Sequence, residues 1–459
     1  MNRIMIIVAA MMVVAGCGIY KKYERPEGIV NDTLYGEKYQ TSDTASIADL
    51  GWRELFVDPL LQALIDSALM RNTDIRTAAL RVEQAEEALK IARLSYLPSF
   101  NFAPEGAVGG FDNFKTVNTG AGWTYTVPVA ASWEFDIFGK KTNSKRQAQA
   151  SADMARDYQQ AVRTGLIAGV ATQYYTLLML DEQLRIAVST AGKFEESVRV
   201  MKAMVSAGMG NEVAVAQLEG AMFEVKAAVE DIRKAINGLE NSLSTTLCRT
   251  PHSVERGTLG SASFPEVLKA GVPAALLSRR PDVRAAENSL AAAYYAVNVA
   301  RADLYPSLSL SGVAGWTNNL GGTVMNPAGL LLNAAASLFQ PIFNSGAMRG
   351  KVKIARADRQ AAELAFQQTV LNAGAEVNDA LTQYQTALAK EEWRTAQVES
   401  LSKAVDKTEK LMQYTSTTYL EVLTAQQSLL QAQTAMAQDT YEKISAVISL
   451  YRALGGGQQ

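Results

Sequence analysis

The segment WTYTVPVAASWEFDI, residues 123–137, alternates in side-chain polarity over its whole length. Its odd positions are apolar, and its even positions are mostly small or polar. Such alternation predicts a β-strand with one dry face and one wet face. The aromatic residues stand near the two ends of the segment: Trp123, Tyr125, Trp133 and Phe135. At about 3.3 Å per residue and a tilt of about 45°, the two tryptophans would be roughly 23 Å apart across a bilayer, close to the apolar band between the aromatic girdles of an outer-membrane barrel.

A strand of a soluble β-sandwich would also alternate, and that interpretation stays open for the segment alone. It gives no reason, however, for aromatic residues to be kept near the ends. Pro128 is unexpected in either case, because proline cannot donate a hydrogen bond to a neighbouring strand. A membrane strand is the favoured interpretation.

The chain contains a tandem duplication. The stretch from Asp74 to Ser99 recurs without a gap 208 positions later, from Asp282 to Ser307. Later segments return at nearly the same spacing, including Ile137-Phe138 as Ile342-Phe343 and Glu212-Val213 as Glu421-Val422. Each half therefore encodes one structural unit, and a period of this length is far too long for a solenoid of short repeats.

Long amphipathic helices are predicted after the strands of each half. No proline occurs between Pro128 and Pro251, and apolar positions step by three, four or seven residues. The pattern predicts one helix over 140–206 and, after a glycine-rich bend, a returning helix to about Leu247. The second half predicts the same hairpin over 346–454. Helices alone leave a soluble coiled-coil stalk and a channel wall equally open.

The N-terminus predicts export. Arg3, an apolar run of 11 residues from Ile4 to Val14, and Val-Ala-Gly-Cys17 follow one another, which is typical of a signal peptide and too short for a membrane helix. The last four residues resemble the bacterial lipobox, which would make Cys17 the acylated first residue of the mature chain. An ordinary secretory signal is the alternative. Gly18 in place of aspartate favours delivery to the outer membrane.

The composition argues against a catalytic, metal-binding or nucleic-acid-binding function. The 459 residues carry a formal charge of -2, which shows no bias toward nucleic acid. His252 is the single histidine, and Cys248 is the only thiol besides Cys17, so neither a histidine metal cluster nor a disulfide framework is possible. Pairs such as Glu86-Glu87 lie in helix-like patterns and are interpreted as solvated helix faces. The sequence predicts no active site, cofactor or metal site.

Strand counting then requires several copies of the chain. Two strands per repeat give four per chain, whereas a membrane barrel needs at least about eight. Three chains would supply 12 strands and 12 long helices, so that a β-barrel could continue into a helical tube.

Several further motifs are specific: Trp52-Arg53-Glu54-Leu55-Phe56-x-Asp58-Pro59-Leu60 with Asn72-x-Asp74-Ile75, Trp133-Glu134-Phe135-Asp136-Ile137-Phe138-Gly139-Lys140, Ser278-Arg279-Arg280-Pro281-Asp282-Val283-Arg284-Ala285-Ala286-Glu287, and Tyr23-Glu24-Arg25-Pro26. Together they resemble the signatures of TolC-like outer-membrane efflux channels, in their lipoprotein (NodT-type) branch. The resemblance implies a mainly helical homotrimer in which long antiparallel hairpins form an α-barrel joined to a 12-stranded β-barrel in outer-membrane lipid. It also implies two partners, a periplasmic adaptor protein and an inner-membrane pump of the RND class.

The predicted organisation has four parts. Residues 1–16 form the signal peptide, and 17–56 form a lipidated extended segment. Residues 57–264 form the first repeat, with two strands near 99–137 and a hairpin over 140–247. Residues 265–459 form the second repeat, with two strands near 307–343 and a hairpin over 346–454.

The resemblance also assigns roles to residues. It implies a periplasmic aperture lined by Glu421 and Thr424, with Glu212 and Val215 at the corresponding positions of the first repeat. A solvated helix start is the alternative for Glu421, because an acid is favourable there anyway. The adaptor would contact the helical bends at Gly208, Met209, Gly210, Thr415, Ser416 and Thr417. Many relatives carry a Tyr-x-x-Gly pattern with a basic residue at the second bend, where this chain has Met412, Thr415 and Thr417, so a latch built on tyrosine or arginine is not assumed.

Three functions remain open at this point. The first is a passive outer-membrane exit duct of a tripartite efflux system, supplied by the pump and the adaptor. The second is the channel of a protein secretion system, which the same fold also serves; the lipobox and the Arg-Arg-Pro-Asp motif favour efflux. The third is a lipid-anchored periplasmic scaffold without a pore, which leaves the aromatic-ended strands unexplained.

Overall fold

The computed structural model describes residues 20–26, 50–109, 122–261, 264, 279–320, 323–413 and 419–456. The predicted signal peptide, Cys17 and the bend residues Thr415, Ser416 and Thr417 lie outside these ranges. The chain forms two compact units. The sheet unit comprises Met1–Pro26, Arg81–Arg156 and Ala285–Phe366, and the helical unit comprises Glu27–Leu80, Asp157–Arg284 and Gln367–Gln459.

Most of the described residues are helical. The shorter helices are α1 (Trp52–Leu55), α2 (Pro59–Arg71), α3 (Thr73–Leu94) and α6 (Pro281–Ala302), and a 3-10 turn covers Leu259–Ser261. The longer ones are α4 (Lys140–Ser206), α5 (Glu212–Thr246), α7 (Ala347–Gln413) and α8 (Tyr419–Ala453). Helices α4 and α7 have 67 residues each, and α5 and α8 have 35 each, so the duplication extends to helix length. Among the described residues, no helix is both long and apolar enough to cross a membrane.

Capping residues fix several helix starts. The side chain of Asp58 accepts a hydrogen bond from the amide of Leu60 at 2.9 Å, before α2. Asn72 accepts from the amide of Asp74 at 2.8 Å in the first turn of α3, and Asn211 caps α5. Side-chain oxygens of Asp and Asn accept hydrogen bonds from amide groups that have no partner inside the helix. These helix starts are therefore determined by neighbouring residues in the sequence.

The sheet unit holds one antiparallel sheet. Strands β1 (Ser99–Phe102) and β2 (Glu105–Gly109) both pair with β3 (Gly122–Phe135), which pairs with β4 (Ser307–Leu320), which pairs with β5 (Thr323–Phe339). The two halves of the chain therefore meet in the β3–β4 pair. The strands β1 and β2 form one edge of the sheet and β5 forms the other.

The first predicted strand is broken into two pieces. Phe102 lies opposite Val129, and Glu105 lies opposite Thr126, so β1 and β2 continue one register along β3. The two residues that interrupt them therefore face the segment of β3 that contains Pro128. The interruption itself contains Pro104, and proline has no amide hydrogen to donate to a neighbouring strand. A proline therefore lies on each side of the break. This accounts for a proline inside the sheet.

The last strand differs from the prediction in both bounds. The prediction placed it over about Leu331–Phe343, where the residues alternate poorly, whereas β5 runs from Thr323 to Phe339. Pro341 therefore lies beyond the strand. Pro327 lies inside β5, but in the stretch where the pairing with β4 shifts register between Thr317 and Asn319, and prolines inside sheets are confined to such irregularities and to edge strands. The early part of β5 was missed because it contains Pro327 and Gly329, which are typical of turns and loops.

A buried cluster joins three long helices within the helical unit. Its members come from α4 (Ala191, Phe194, Val198, Met201), α5 (Ala214, Leu218, Ala221, Met222, Val225) and α8 (Val422, Leu423). Ion pairs between Lys202 and Glu219 and between Lys226 and Glu195 connect α4 to α5 on the solvent side. The first hairpin and the start of α8 thus share one core.

Candidate channel surfaces

One face of the sheet is apolar throughout its described side chains. On β3 this apolar face presents Tyr125, Val127, Val129, Ala131, Trp133 and Phe135. The strand register adds Phe100, Phe102, Leu308, Leu310, Ala314, Trp316, Leu330, Leu332, Ala334, Ala336 and Leu338. Many of these side chains are open to solvent in the single chain, with Phe102 66% and Leu332 70% exposed. Apolar surface of this extent marks contact with a membrane or another protein.

The opposite face of the sheet, the polar face, is rich in hydroxyl groups. It carries Ser99, Thr126, Ser132, Glu134, Ser307, Ser309, Ser311, Thr317 and Ser337, together with the apolar residues Ala130, Val313, Leu331 and Phe339. The hydroxyl groups of Ser309 and Ser337 are hydrogen bonded at 2.7 Å, and those of Thr126 and Thr317 at 3.1 Å. Hydroxyl groups thus pair across strands on the polar face.

The predicted aromatic girdle is partly described. Trp133 and Phe135 lie together near the end of β3, with ring centroids 4.2 Å apart, and the indole nitrogen of Trp133 donates to the carbonyl of Tyr96 at 2.8 Å. Tyr125 is 38% exposed on the same face farther along the strand. Trp123 belongs to β3, but its side chain lies outside the described part. Their contact with lipid stays a prediction.

The first helical bend is built on glycine. Gly208 has φ +76°, a conformation that favours glycine. A Cβ atom on Gly210 would lie 2.8 Å from the backbone nitrogen of Val205, so a larger residue would force the bend apart. Met209 stands between them with 66% of its surface exposed. The three predicted adaptor-contact residues of this bend are therefore presented at its surface, while the second bend lies outside the described residues.

The four predicted aperture residues lie at two helix starts. Glu212 is the first residue of α5, and Glu421 is the third residue of α8. Both are exposed, as is Thr424, whereas Val215 is half-buried against the cluster shared by the three helices. The structure therefore brings both carboxylates to the same end of the helical core.

A hydrogen bond connects these two helix starts directly. The hydroxyl of Tyr419, the first residue of α8, donates to the side-chain oxygen of Gln217 on α5 at 2.8 Å. Deeper in the core, the amide of Gln426 donates to Glu409 on α7 at 2.9 Å. The first contact joins residues 202 positions apart, and no local pattern marks such a pair.

Two residues of the sequence motifs, Asn72 and Arg280, each bind the C-terminal end of a long helix, and we call these contacts helix locks. The side-chain nitrogen of Asn72 donates to the carbonyl of Thr246, the last residue of α5, at 3.0 Å. Arg280, 208 positions later, donates to the carbonyl of Ala453, the last residue of α8, at 2.7 Å. Each closing helix of a hairpin has unpaired carbonyl groups at its end. The motifs therefore hold the returning helices in place rather than forming a chemical site.

Of the two locking residues, Asn72 and Arg280, Arg280 has the additional ion pairs. It is buried, and its guanidinium group also pairs with Asp282 at 2.7 Å and with Glu376 at 2.9 Å. Burial opposes its positive charge, but the hydrogen bonds to the two carboxylates outweigh burial and raise the pKa of Arg280 above its ordinary value. The positive charge is thus retained inside the helical unit.

Replacing Arg280 by alanine is expected to destabilise the protein by about 2–3 kcal/mol, because hydrogen bonds of a charged group and the partner of a buried carbonyl are lost. The matched control is Arg280→Asn, the residue that the first repeat uses. It can restore the bond to Ala453 but not the two ion pairs, so its melting temperature should fall between those of the wild type and Arg280→Ala. Equal melting temperatures for all three proteins would contradict the lock.

A second polar centre holds the chain after α5. The hydroxyl of Tyr174 donates to Asp58 at 2.6 Å and accepts from the amide of Gly257 at 3.2 Å. Burial first, and then the bond to Asp58, raise the pKa of Tyr174, so the phenol stays protonated. Arg256 pairs with Asp181 and Glu240, both at 2.5 Å. These groups all have partners within the chain, which suits a structural role.

Two segments, residues 64–248 and 272–456, match the model of the outer membrane efflux protein family. The chain belongs to this family. The two matches begin 208 positions apart, the spacing of the tandem duplication, so the family unit is present twice. The resemblance noted from the motifs is thereby confirmed.

Full-length relatives agree with this assignment. The cation efflux system protein CusC of Escherichia coli O6:H1 is 28% identical over 462 residues, which cover 98% of this chain and 97% of CusC. The probable outer membrane lipoprotein SilC of Salmonella typhimurium is 29% identical and covers 98% of both chains. The solved structure of the outer-membrane channel OprN superposes with a TM-score of 0.87 at 27% identity, covering 96% of this chain and 99% of OprN. The predicted function, efflux across the outer membrane, is confirmed.

Proposed function

We propose that three copies of this chain form a passive exit duct in the outer membrane, which releases small molecules delivered by an inner-membrane pump through a periplasmic adaptor. The observation that carries the proposal is the sheet of the sheet unit. It combines one apolar face, one hydroxyl-rich face and two edges. The duct has no chemistry of its own, and the pump supplies the energy.

Edge closure supports the number of copies. Within the described part of the chain, β1–β2 and β5 each pair on one side only. A sheet in a bilayer must satisfy all of its backbone groups, which only a closed barrel achieves. Counting β1 and β2 as one interrupted strand, each chain contributes four strands, and three chains would give 12, within the range from about 8 upward that membrane barrels use. The hydroxyl-rich face would line the lumen.

The N-terminal segment supports lipid anchoring at Cys17. The amide of Tyr23 donates to the hydroxyl of Tyr295 at 3.2 Å, and Arg25 pairs with Glu287, so residues 20–26 are fastened to α6. The ring of Tyr20 lies beside Gly139, just before the start of α4. Since Tyr20 follows Cys17 by three residues, acyl chains on Cys17 would enter the membrane near the Trp133 end of β3. The relative SilC is itself described as a lipoprotein.

The periplasmic end would hold the aperture and the adaptor site. We assign the aperture to Glu421 with Thr424, and to Glu212 with Val215 in the first repeat. We assign adaptor contact to the two bends, through Gly208, Met209, Gly210, Thr415, Ser416 and Thr417. Exposed apolar Met209 beside two glycines offers a shape that a partner helix could cover.

The duct is tested by reconstituting the purified, acylated protein in planar bilayers. We expect stepwise conductance from a species with the mass of three chains plus detergent. A scaffold without a pore would give the trimer mass without conductance, and a monomer would remove the proposal altogether. A protein-secretion channel is distinguished by co-purification from the native cell envelope, because its partners would belong to a secretion system rather than to an efflux pump.

The aperture makes a separate prediction. Three copies would bring three Glu421 carboxylates toward one axis, where they attract cations. Glu421→Gln should therefore lower the preference of the channel for cations and weaken block by divalent cations in single-channel recordings, and Glu212→Gln should have a smaller effect. If selectivity and block are unchanged in the Glu421→Gln channel, the constriction lies elsewhere.

A further inference from the structure

The residues after β5 form an exposed apolar hook. Ile342 is 96% exposed and Phe343 is 86% exposed, although only Gln340 and Pro341 separate them from the end of β5 at Phe339. Both residues line a cavity of about 680 Å³ within the sheet unit, together with Phe138, Ala302, Tyr305 and Phe339. Two neighbouring apolar side chains with this exposure call for a partner.

The first repeat contains the same hook in a covered form. Ile137-Phe138 is the copy of Ile342-Phe343, and both of its residues are half-buried. The ring of Phe138 stacks on Tyr305, just after α6, with centroids 4.9 Å apart and planes inclined by 11°. Inside one chain, therefore, the hook of the first repeat packs on the end of the helix that begins the second repeat.

The surface that would receive the second hook is also present and also uncovered. Tyr305 and Ala302 correspond to Leu97 and Leu94 of the first repeat, 208 positions earlier. Leu97 is 62% exposed, against 46% for its counterpart Tyr305, and Leu94 is 52% exposed, against 4% for its counterpart Ala302. Ile91, one turn earlier on α3, is 68% exposed. Within one chain, the hook of the first repeat contacts Tyr305. The hook of the second repeat and the surface formed by Leu94 and Leu97 are both exposed.

We infer that the hook Ile342–Phe343 of one copy docks on Leu94 and Leu97 of a second copy, with Phe343 against Leu97 as Phe138 lies against Tyr305. The occupant is a second copy of this chain because the receiving surface is the duplicate of the surface that the first hook already uses. The hook and its receiver are different surfaces of one chain. Such a head-to-tail contact generates a ring when its rotation closes.

The inference rests on the proposed trimer. It adds a specific contact at the interface between neighbouring copies, here called the seam. The hook follows the edge strand β5, and Leu97 precedes the edge strand β1. Docking would therefore bring the two open edges of the sheet together at the same end of the strands. It would also remove two of the most exposed apolar side chains of the sheet unit from water.

Cysteine cross-linking tests the contact in a Cys248→Ser background. Phe343→Cys with Leu97→Cys, treated with a short bismaleimide, should convert most of the protein into covalent dimers and trimers. Each single variant should stay monomeric on a denaturing gel. Phe138→Cys with Tyr305→Cys is the positive control and should link within one chain. Phe343→Cys with Ser99→Cys is the negative control, because Ser99 lies two residues after Leu97. This pair should cross-link several-fold less.

A gain of stability provides the second arm. Leu97→Tyr makes the seam identical to the stack inside the chain, so the trimer should dissociate at a higher temperature. Phe343→Ser should dissociate at a lower temperature, while Ser345→Ala, two residues away, should not change it. An intact trimer mass without the Phe343–Leu97 cross-link, or with preferential linking to position 99, would overturn the hook and leave the duct standing. A monomeric mass would overturn both.

Discussion

Val129→Arg is expected to abolish assembly of the protein in the outer membrane, whereas Ala130→Arg should assemble nearly as well as the wild type. Val129 lies on the apolar face, opposite Phe102 on one side and Ala314 on the other, and is 47% exposed. A guanidinium group near the bilayer midplane costs about 2–4 kcal/mol, and three copies multiply that cost to roughly 6–12 kcal/mol per trimer.

Ala130 is the appropriate control because it is the next residue of the same strand and points to the polar face. It lies opposite Asn101 and Val313. Thr126 is also on the polar face, but an arginine there would break its hydrogen bond to Thr317, so a defect would be ambiguous. Trimer content of outer-membrane fractions on unheated denaturing gels is the measurement. Assembly of Val129→Arg together with failure of Ala130→Arg would mean that the faces are assigned in reverse.

The long helices were predictable because their signals are local. The first one covers Lys140–Ser206 and the returning one begins at Glu212, as the apolar periodicity and the glycine-rich bend indicate. The faces of β3 followed in the same way from strict alternation. Period and turn chemistry are properties of neighbouring residues, so a single sequence carries them.

Features that depend on a distant partner were not predictable. That the break at Pro104 lies next to Pro128 of β3 is visible only in the strand register. The start of β5 at Thr323 follows from its pairing with β4, in which Thr323 lies opposite Leu320. In each case the feature depends on the pairing between strands, which neighbouring residues in the sequence do not specify.

The roles of the motif residues belong to the same class. Asn72 meets Thr246 across 174 positions, and Arg280 meets Ala453 across 173. The motifs marked the family, yet no pattern around them indicated that they close helix ends. The aperture assigned to Glu421 and the trimer itself involve further copies of the chain, and they stay predictions until the channel recordings and masses are measured.

Gly315→Ala should disrupt assembly more than any other replacement of a glycine in β4. Gly315 is buried and lies opposite Pro128 in the β3–β4 pair. A Cβ atom there would be 2.2 Å from the carbonyl oxygen of Val127 and 2.8 Å from the Cα atom of Pro128. Both are backbone atoms, so no side chain can move aside, and the strands themselves would have to separate. Overpacking costs about 1–3 kcal/mol in ordinary cores and more where the backbone must shift.

Gly312→Ala is the matched control for this clash. It lies in the same strand, and the nearest atom to its added Cβ would be the carbonyl oxygen of Asn333 at 3.7 Å, an ordinary contact. Because glycine weakens a strand interior, Gly312→Ala should melt at the wild-type temperature or slightly above it, while Gly315→Ala should melt lower and give less trimer. The β3–β4 pair is where the two repeats of one chain join, so its loss should also leave the hook of the first repeat unstacked from Tyr305. Equal melting temperatures and trimer yields for the two variants would show that β3 and β4 do not approach as closely as Pro128 and Gly315 require.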